Sequence, residues 1–319
     1  MNQPTALTIG NFDGVHIGHQ AIIAHARQAV GPGGRVVAAV FSPHPMVHLN
    51  PERAPIEIEP ISARINRLTI AGVDEVVVLD PSPGLLAMSP SGFVDLMIDQ
   101  HQPTVIVEGA DFRFGARRTG GVVELKELCA IQGVGVEVVA PLRTSISDQS
   151  DLVVSSTMIR WMLAHGRVRD AGFLLGRMHE IRGVVVRGDQ LGRTIGFPTA
   201  NLRTETMLPC DGVYAGVAVL PTGEECIAAI NVGTRPTVQG LNRRAEAHLL
   251  NADSSVWVPP RGSDEYGWDC TIRLMAWVRD EIKFGSIDTL KEQLGRDVGK
   301  ICTIVQRFLP ATADATATN

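Results

Sequence analysis

Cysteine is scarce and scattered. The 319 residues hold five (Cys129, Cys210, Cys226, Cys270 and Cys302), and no two fall at the spacing of a metal site or a redox pair. That excludes a disulfide scaffold and predicts a reduced, cytoplasmic setting. Long apolar runs are also missing. None approaches the ~20 residues of a membrane-spanning helix, so no membrane partner is expected. No charged leader with an apolar core opens the sequence, and no export signal is expected. Basic excess is absent too: Lys and Arg number 29 against 34 Asp and Glu, a net charge of −5, which argues against general nucleic-acid binding. What is present is globular, at 45% hydrophobic and 20% charged, in a chain long enough for two domains.

The two halves have different grammar. Up to about Gly176, short buried runs (Ala6–Ile9, Val36–Phe41, Glu75–Leu79, Thr104–Val107, Val134–Val139) alternate with helical segments (Gln20–Val30, Ser62–Ala71, Gly92–His101, Val122–Gln132). That alternation predicts an α/β unit with a parallel sheet whose ligands bind at the carboxyl ends of the strands. From about Met178, β-rich segments (Glu180–Val186, Gly212–Leu220, Glu225–Val232, Arg244–Leu250, Asp269–Val278) are separated by Gly, Pro and Asp turns. They predict a compact antiparallel barrel. A helix over about Ile287–Arg307, with Ser286 at the N-cap, closes it. The last ten residues lack apolar bulk and read as a loose tail.

In the first half, GNFDGVHIGH (10–19) places a glycine turn between a strand and a helix. This arrangement aims free backbone N–H groups at a phosphate. His16 and His19, one helical turn apart, would share a face beside that anion. FSPHP (41–45) could hold His44 towards the sheet crevice, or be a plain proline turn. GADFRFG (109–115) offers two aromatic rings and a guanidinium to a planar heterocycle, or simply a core-facing aromatic pair. Ser155-Ser156-Thr157 with Arg160 one turn on either caps a helix or presents hydroxyls and a guanidinium to a polyphosphate.

In the second half, the glycine-studded stretch from Gly188 to Asn201 allows close backbone approach to phosphates, or serves as structural turns. Thr199 and Asn201, two residues apart, supply neutral oxygens suited to Mg²⁺. Glu246 and His248 share one side of a strand. Glu246 is there either a general base for a hydroxyl or a solvent-facing carboxylate. RDEIKF (279–284) is a charged loop ending in an aromatic, and equally reads as a surface turn.

Together these residues resemble the bacterial bifunctional riboflavin kinase/FMN adenylyltransferase family, also called FAD synthetase, over nearly the whole chain. The resemblance rests on GNFDGVHIGH, FSPHP, GADFRFG, SSTMIR, GRTIGFPTAN, DGVYAG, NVGTRPT, EAHLL and RDEIKF, in that order. It implies a Rossmann-like nucleotidyltransferase domain over 1–176, a riboflavin kinase barrel over 177–310 and a tail over 311–319. It further implies two Mg²⁺-dependent steps, riboflavin to FMN and FMN to FAD, each consuming ATP. Matching the motifs, Glu246 would be the kinase base, Thr199 and Asn201 the metal ligands, and His16, His19 and Arg160 the charge-stabilising groups of adenylyl transfer. ATP would meet Gly10, Asn11, Phe12, Asp13, Gly14, Ser155, Ser156 and Thr157 in one half, and Gly188, Gly192, Arg193, Gly196 and Pro198 in the other. Flavin would meet Phe41, His44, Asp111, Phe112, Arg113 and Phe114, and separately Arg279, Glu281 and Phe284. Expected partners are riboflavin, FMN, FAD and ATP, with no tightly bound prosthetic group and a monomer or weak homo-oligomer.

Three departures stand out. Glu108 occupies a place where many relatives carry an apolar residue. The segment from Leu250 to Tyr266 is longer than usual and holds Trp257, Pro259 and Pro260, which bears on kinase rate or flavin affinity. Ala63-Arg64 replaces a Glu-Arg pair and is expected to matter little. Competing readings are an enzyme that keeps only adenylyl transfer and a flavin carrier that no longer turns over. A class I aminoacyl-tRNA synthetase relative is disfavoured by the lack of a KMSKS-like motif and of a basic face.

Overall fold

A computed structural model of the chain describes residues 3–308 apart from 189, 238–239, 261 and 263. The stretch expected to be a tail, 311–319, lies outside the described residues. Contacts divide the chain into two units, Met1–Ser156 and Thr157–Asn319.

In the first unit the strands are β1 (Thr5–Gly10), β2 (Arg35–Phe41), β3 (Glu75–Leu79), β4 (Val105–Gly109) and β5 (Gly135–Val139). They form one parallel sheet in the order β3-β2-β1-β4-β5. The helices are α1 (Ile17–Val30), α2 (Ile61–Ile70), α3 (Pro90–His101) and α4 (Val122–Ile131). Both faces of the central strands are apolar, because alternate residues feed two cores. Leu7, Ile9, Val37 and Ile106 pack with Phe93 and Met97 of α3 and Leu125 of α4. Ala6, Val36, Ala38, Val40 and Val107 pack with Ile23 of α1 and Leu68 of α2. A strand covered on both sides reads as a continuous apolar run, the signal visible in the sequence. The chain order reverses between β1 and β4, which puts a ligand crevice at their carboxyl ends.

In the second unit α5 (Ser156–Ala164, beginning at the boundary) and α6 (Val168–Leu175) precede β6 (His179–Val186), β7 (Ala200–Thr204), β8 (Gly212–Val219), β9 (Glu225–Thr237), β10 (Gly240–Leu250), β11 (Asp269–Arg279) and α7 (Ile287–Gln306). The six strands close into an antiparallel barrel in the order β6-β7-β10-β9-β8-β11. Helix α7 lays Ile301, Cys302 and Val305 on Val213, Ala215 and Val217, alternate residues of β8. It starts in a complete capping box: the Ser286 hydroxyl accepts from the Thr289 N–H while Thr289 Oγ1 accepts from the Ser286 N–H. The stretch predicted as a glycine loop turns into strand β7 at Ala200, flanked by β6 and β10. Among the described residues no helix is long and apolar enough to cross a membrane.

Candidate active sites

In the first unit β1 ends at Gly10 and the chain turns sharply, with positive φ at Phe12 (48°), Gly14 (80°) and Val15 (36°). Gly14 adopts this without penalty. Phe12 and Val15 are strained, at about 1–3 kcal/mol each, and are held there by burial in the core. Asp13 between them is 1% exposed. Its carboxylate accepts from the Ile58 N–H at 3.0 Å and lies 3.8 Å from the Arg64 guanidinium, while its carbonyl accepts from Ser156 Oγ at 2.7 Å. Phe12 and Asp13 therefore point inward, and what they offer a nucleotide is a fixed backbone. Ser156, at the start of α5, is tied to the same turn.

His16 caps α1, its Nδ1 accepting from the His19 N–H at 3.2 Å. The N–H groups of Ile17 and Gly18 have no partner among the described residues. The two imidazoles stack at 3.6 Å. Burial first, then His16, then Arg64 hold His19 well below the usual histidine range, so its ring is neutral at neutral pH.

The FSPHP loop joins this turn. Buried Arg64 of α2 donates from Nη1 to the carbonyls of Asn11 (2.9 Å) and Phe41 (3.1 Å), and the Asn11 amide lies 3.2 Å from His44 Nε2. Met46 N–H donates to His44 Nδ1 at 3.1 Å. Sequence reasoning named Arg64 only within the Ala63-Arg64 pair and gave it no role. Its signal was spacing, since with Ile61 and Leu68 it follows the apolar stripe of α2. In the 109–115 loop, Asp111 and Arg113 are exposed and Phe112 is half-buried. Phe114 is in the core against Phe93, with Phe112 stacked on it at 5.4 Å, so the face available to a ligand is that of Phe112.

In the second unit two cavities share a wall. The larger, about 260 Å³, lies between one barrel end and α7 and is lined by Gly192, Thr199, Asn201, Asn231, Glu246, His248, Arg279, Glu281 and Phe284 with apolar Ile282, Leu290 and Leu294. The smaller, about 80 Å³, is lined by Gly188, Arg193, Pro198, Thr199, Asn201, Trp257, Tyr266 and Trp268. Thr199 and Asn201 line both. Asn201 of β7 sits opposite Glu246 of β10, and Glu246 opposite Asn231 of β9, so the three side chains form one row across neighbouring strands. A Cβ on Gly188 would lie 2.3 Å from the Asn201 amide, so only glycine lets the backbone pass there. Gly196, predicted with the nucleotide loop, takes a φ of 89° at the turn that follows Thr194.

Further side chains hold this site, and of these the sequence singled out His248 and Trp257 but not Asp297, Asn231 or Trp268. His248 Nδ1 donates to the Pro198 carbonyl at 2.7 Å, fixing the entry to Thr199, and burial lowers its pKa so the ring is a neutral strut. Buried Asp297 of α7 accepts a forked pair from Arg279 (3.0 and 2.8 Å), whose guanidinium lies over the Phe284 ring at 5.7 Å. Asn231 enters through strand pairing alone. Trp257, from the longer segment, and Trp268, just beyond it, pack at 5.9 Å in the wall of the smaller cavity.

The FAD synthetase family model matches residues 1–158, and the riboflavin kinase model matches 175–305. The bifunctional riboflavin kinase/FMN adenylyltransferase of Escherichia coli K12 is 36% identical over 91% of this chain and 90% of its own. That of Haemophilus influenzae is 35% identical over 93% and 92%. A solved structure described as a macrolide-efflux protein from Streptococcus pneumoniae superposes with a TM-score of 0.82 at 29% identity, over 97% of this chain and 96% of that one. Two family models in series, and relatives matched over almost their whole length, place the chain in the family of bifunctional riboflavin kinase/FMN adenylyltransferases.

Proposed function

We propose that the second unit makes FMN, the first converts it to FAD, and the residues described above divide the work between two separate sites. The reactions are those of the family: ATP phosphorylates riboflavin to FMN, then a second ATP adenylylates FMN to FAD and pyrophosphate leaves.

The observation that carries the kinase assignment is the row Asn201–Glu246–Asn231 at the junction of two cavities. The larger cavity suits the isoalloxazine, with Phe284 and Ile282 as apolar walls and Arg279 and Glu281 as polar anchors. The smaller suits the nucleotide, with Trp257 and Trp268 offering ring faces and Gly188, Gly192, Arg193, Gly196 and Pro198 belonging to the phosphate loop. At the junction Glu246 takes the proton of the ribityl 5′-hydroxyl as its oxygen bonds to the γ-phosphorus, and ADP leaves. Among the described residues no three His, Cys, Asp or Glu side chains form a metal cage. Thr199 and buried Asn201 instead offer neutral oxygens beside the phosphate loop, which fits Mg²⁺ held jointly by protein, water and nucleotide. Such an ion supplies charge neutralisation on the phosphates. Thr199 and Asn201 would hold such an ion, with His248 and Gly188 packed against the segment that carries them.

In the first unit the FMN phosphate is already an anion. Its oxygen attacks the α-phosphorus of ATP without a base, and the bond to pyrophosphate breaks. Neutral His19, the His16 ring stacked on it and the amides of Ile17 and Gly18 stabilise the developing charge. Gly10, Asn11 and Gly14 shape the backbone cradle, and Ser155, Ser156 and Thr157 start the helix that carries Arg160. Phe41, His44, Asp111, Phe112 and Arg113 form the flavin side, with Phe114 packed beneath Phe112. We further assign the chain to the cytoplasm, as a monomer or weak homo-oligomer with no nucleic-acid partner.

Incubation with riboflavin, ATP and Mg²⁺, with flavins resolved by chromatography, tests this reading. FAD accumulates from riboflavin if both sites work. FAD from supplied FMN only would leave the first unit's assignment and sink the second's, and no conversion would sink both.

A further inference from the structure

The two central strands of the first unit separate before they end. β1 and β4 pair at Ala6–Val105 and Leu7–Ile106, whereas β1 stays paired with β2 as far as Gly10–Val40, and β4 with β5 as far as Gly109–Val139. The sheet is thus split along its middle for its last residues, at the place where the chain order reverses. Glu108 stands in that split, 3% exposed, and its Oε1 accepts from the Ile9 N–H at 2.6 Å. An N–H facing a neighbouring parallel strand ordinarily bonds to that strand's carbonyl, and here a side chain takes the carbonyl's place. One end of the split carries Gly10 and the histidine turn. The other carries Gly109, which lies against Ile22 of α1, and the Asp111 loop.

We propose that Glu108 is a positioning residue for adenylyl transfer: its carboxyl wedges β1 from β4 and sets the width of the crevice in which the α-phosphate of ATP meets the phosphate of FMN. This rests on the assignment of that reaction to the first unit. In this chain, whose β1 and β4 are spaced around the carboxyl, an apolar side chain placed at 108 with the neighbours unchanged cannot accept the Ile9 N–H, so the amide is left buried without a partner or the two strands draw together and narrow the crevice. Burial first, and the charge of Asp111 after it, push the Glu108 carboxyl well above the usual range despite the Ile9 bond. That favours its uncharged form, which does not repel a triphosphate.

The test uses three full-length variants. Glu108→Gln keeps the acceptor at the same reach. Glu108→Asp keeps a carboxyl but is one methylene short of the Ile9 N–H, and Glu108→Leu keeps bulk alone. FMN to FAD is measured with both substrates varied, well below the first unfolding transition of each variant, and riboflavin to FMN in the same chain is the control. Glu108→Gln is expected within about threefold of the parent in kcat. Glu108→Asp and Glu108→Leu should lose about tenfold or more, with the KM for ATP moved less than kcat, because misplaced reacting groups slow the step more than they weaken binding. The kinase rate should stay within about twofold. Should Glu108→Leu fail to fold, the order of Gln over Asp decides. FAD formation by Asp or Leu at the parental kcat, or Asp performing as well as Gln, overturns the proposal. A parent that makes no FAD from FMN would instead overturn the assignment of the reaction.

Discussion

His19 shows how position converts a common side chain into a specialised one. Its neutrality follows from burial, the stacked His16 ring and Arg64, so a proton that the unfolded chain accepts near pH 6.5 is refused by the folded one. Below about pH 6.5 the unfolded state therefore binds more protons, and the first unit loses stability as pH falls towards the folded pKa. Replacing His19 with Phe should flatten that acid limb, measured as the difference in melting temperature between about pH 7.5 and 5.5. His19→Ala should slow FMN to FAD by about 10²–10³-fold, the scale of one lost charge-stabilising donor, and leave riboflavin to FMN intact. Asp13 is a residue of a different kind. Asp13→Ala removes the acceptor of the Ile58 N–H and a charge beside buried Arg64, and should destabilise the first unit by about 3 kcal/mol in denaturant melts.

Elements explain what was legible in the sequence. Runs such as Ala6–Ile9 and Val36–Phe41 announced their strands because covered strands need apolar residues on both faces, and Ser286 announced the start of α7 because a hydroxyl satisfies a free amide there. Ser286→Ala should cost the second unit about 1 kcal/mol, read from its own thermal transition. Strand β7 was hidden, since its glycine-rich approach has turn composition and its pairing with β6 and β10 joins residues far apart in the chain. Side chains proposed to touch substrates were readable for a related reason. His16, His19, Thr199, Asn201 and Glu246 are of reactive types set among glycines or on an alternating strand. Arg64 and Asp297 act through partners that only folding brings near, Asn231 joins the row through strand register alone, and a charge at an apolar position, as in α2, is the trace that Arg64 leaves. The aromatic pair of the 109–115 loop was ambiguous for the same reason: packing gives Phe114 to the core and leaves Phe112 at the surface.

At the scale of the whole molecule, two units with unrelated architectures are each assigned a site: a backbone turn with two stacked imidazoles in the first, and a row of Asn201, Glu246 and Asn231 between two cavities in the second. Independence of the sites has a direct consequence. A mixture of Glu246→Gln and His19→Ala chains should convert riboflavin to FAD through released FMN, although neither does so alone. The sharpest single test is Glu246→Gln supplied in parallel with riboflavin or with FMN, each with ATP and Mg²⁺. The account predicts FAD from FMN at the parental rate and FMN formation from riboflavin reduced by about 10²–10⁴-fold. Undiminished FAD from riboflavin, or loss of both steps in a folded chain, would contradict the assignment of two separate sites.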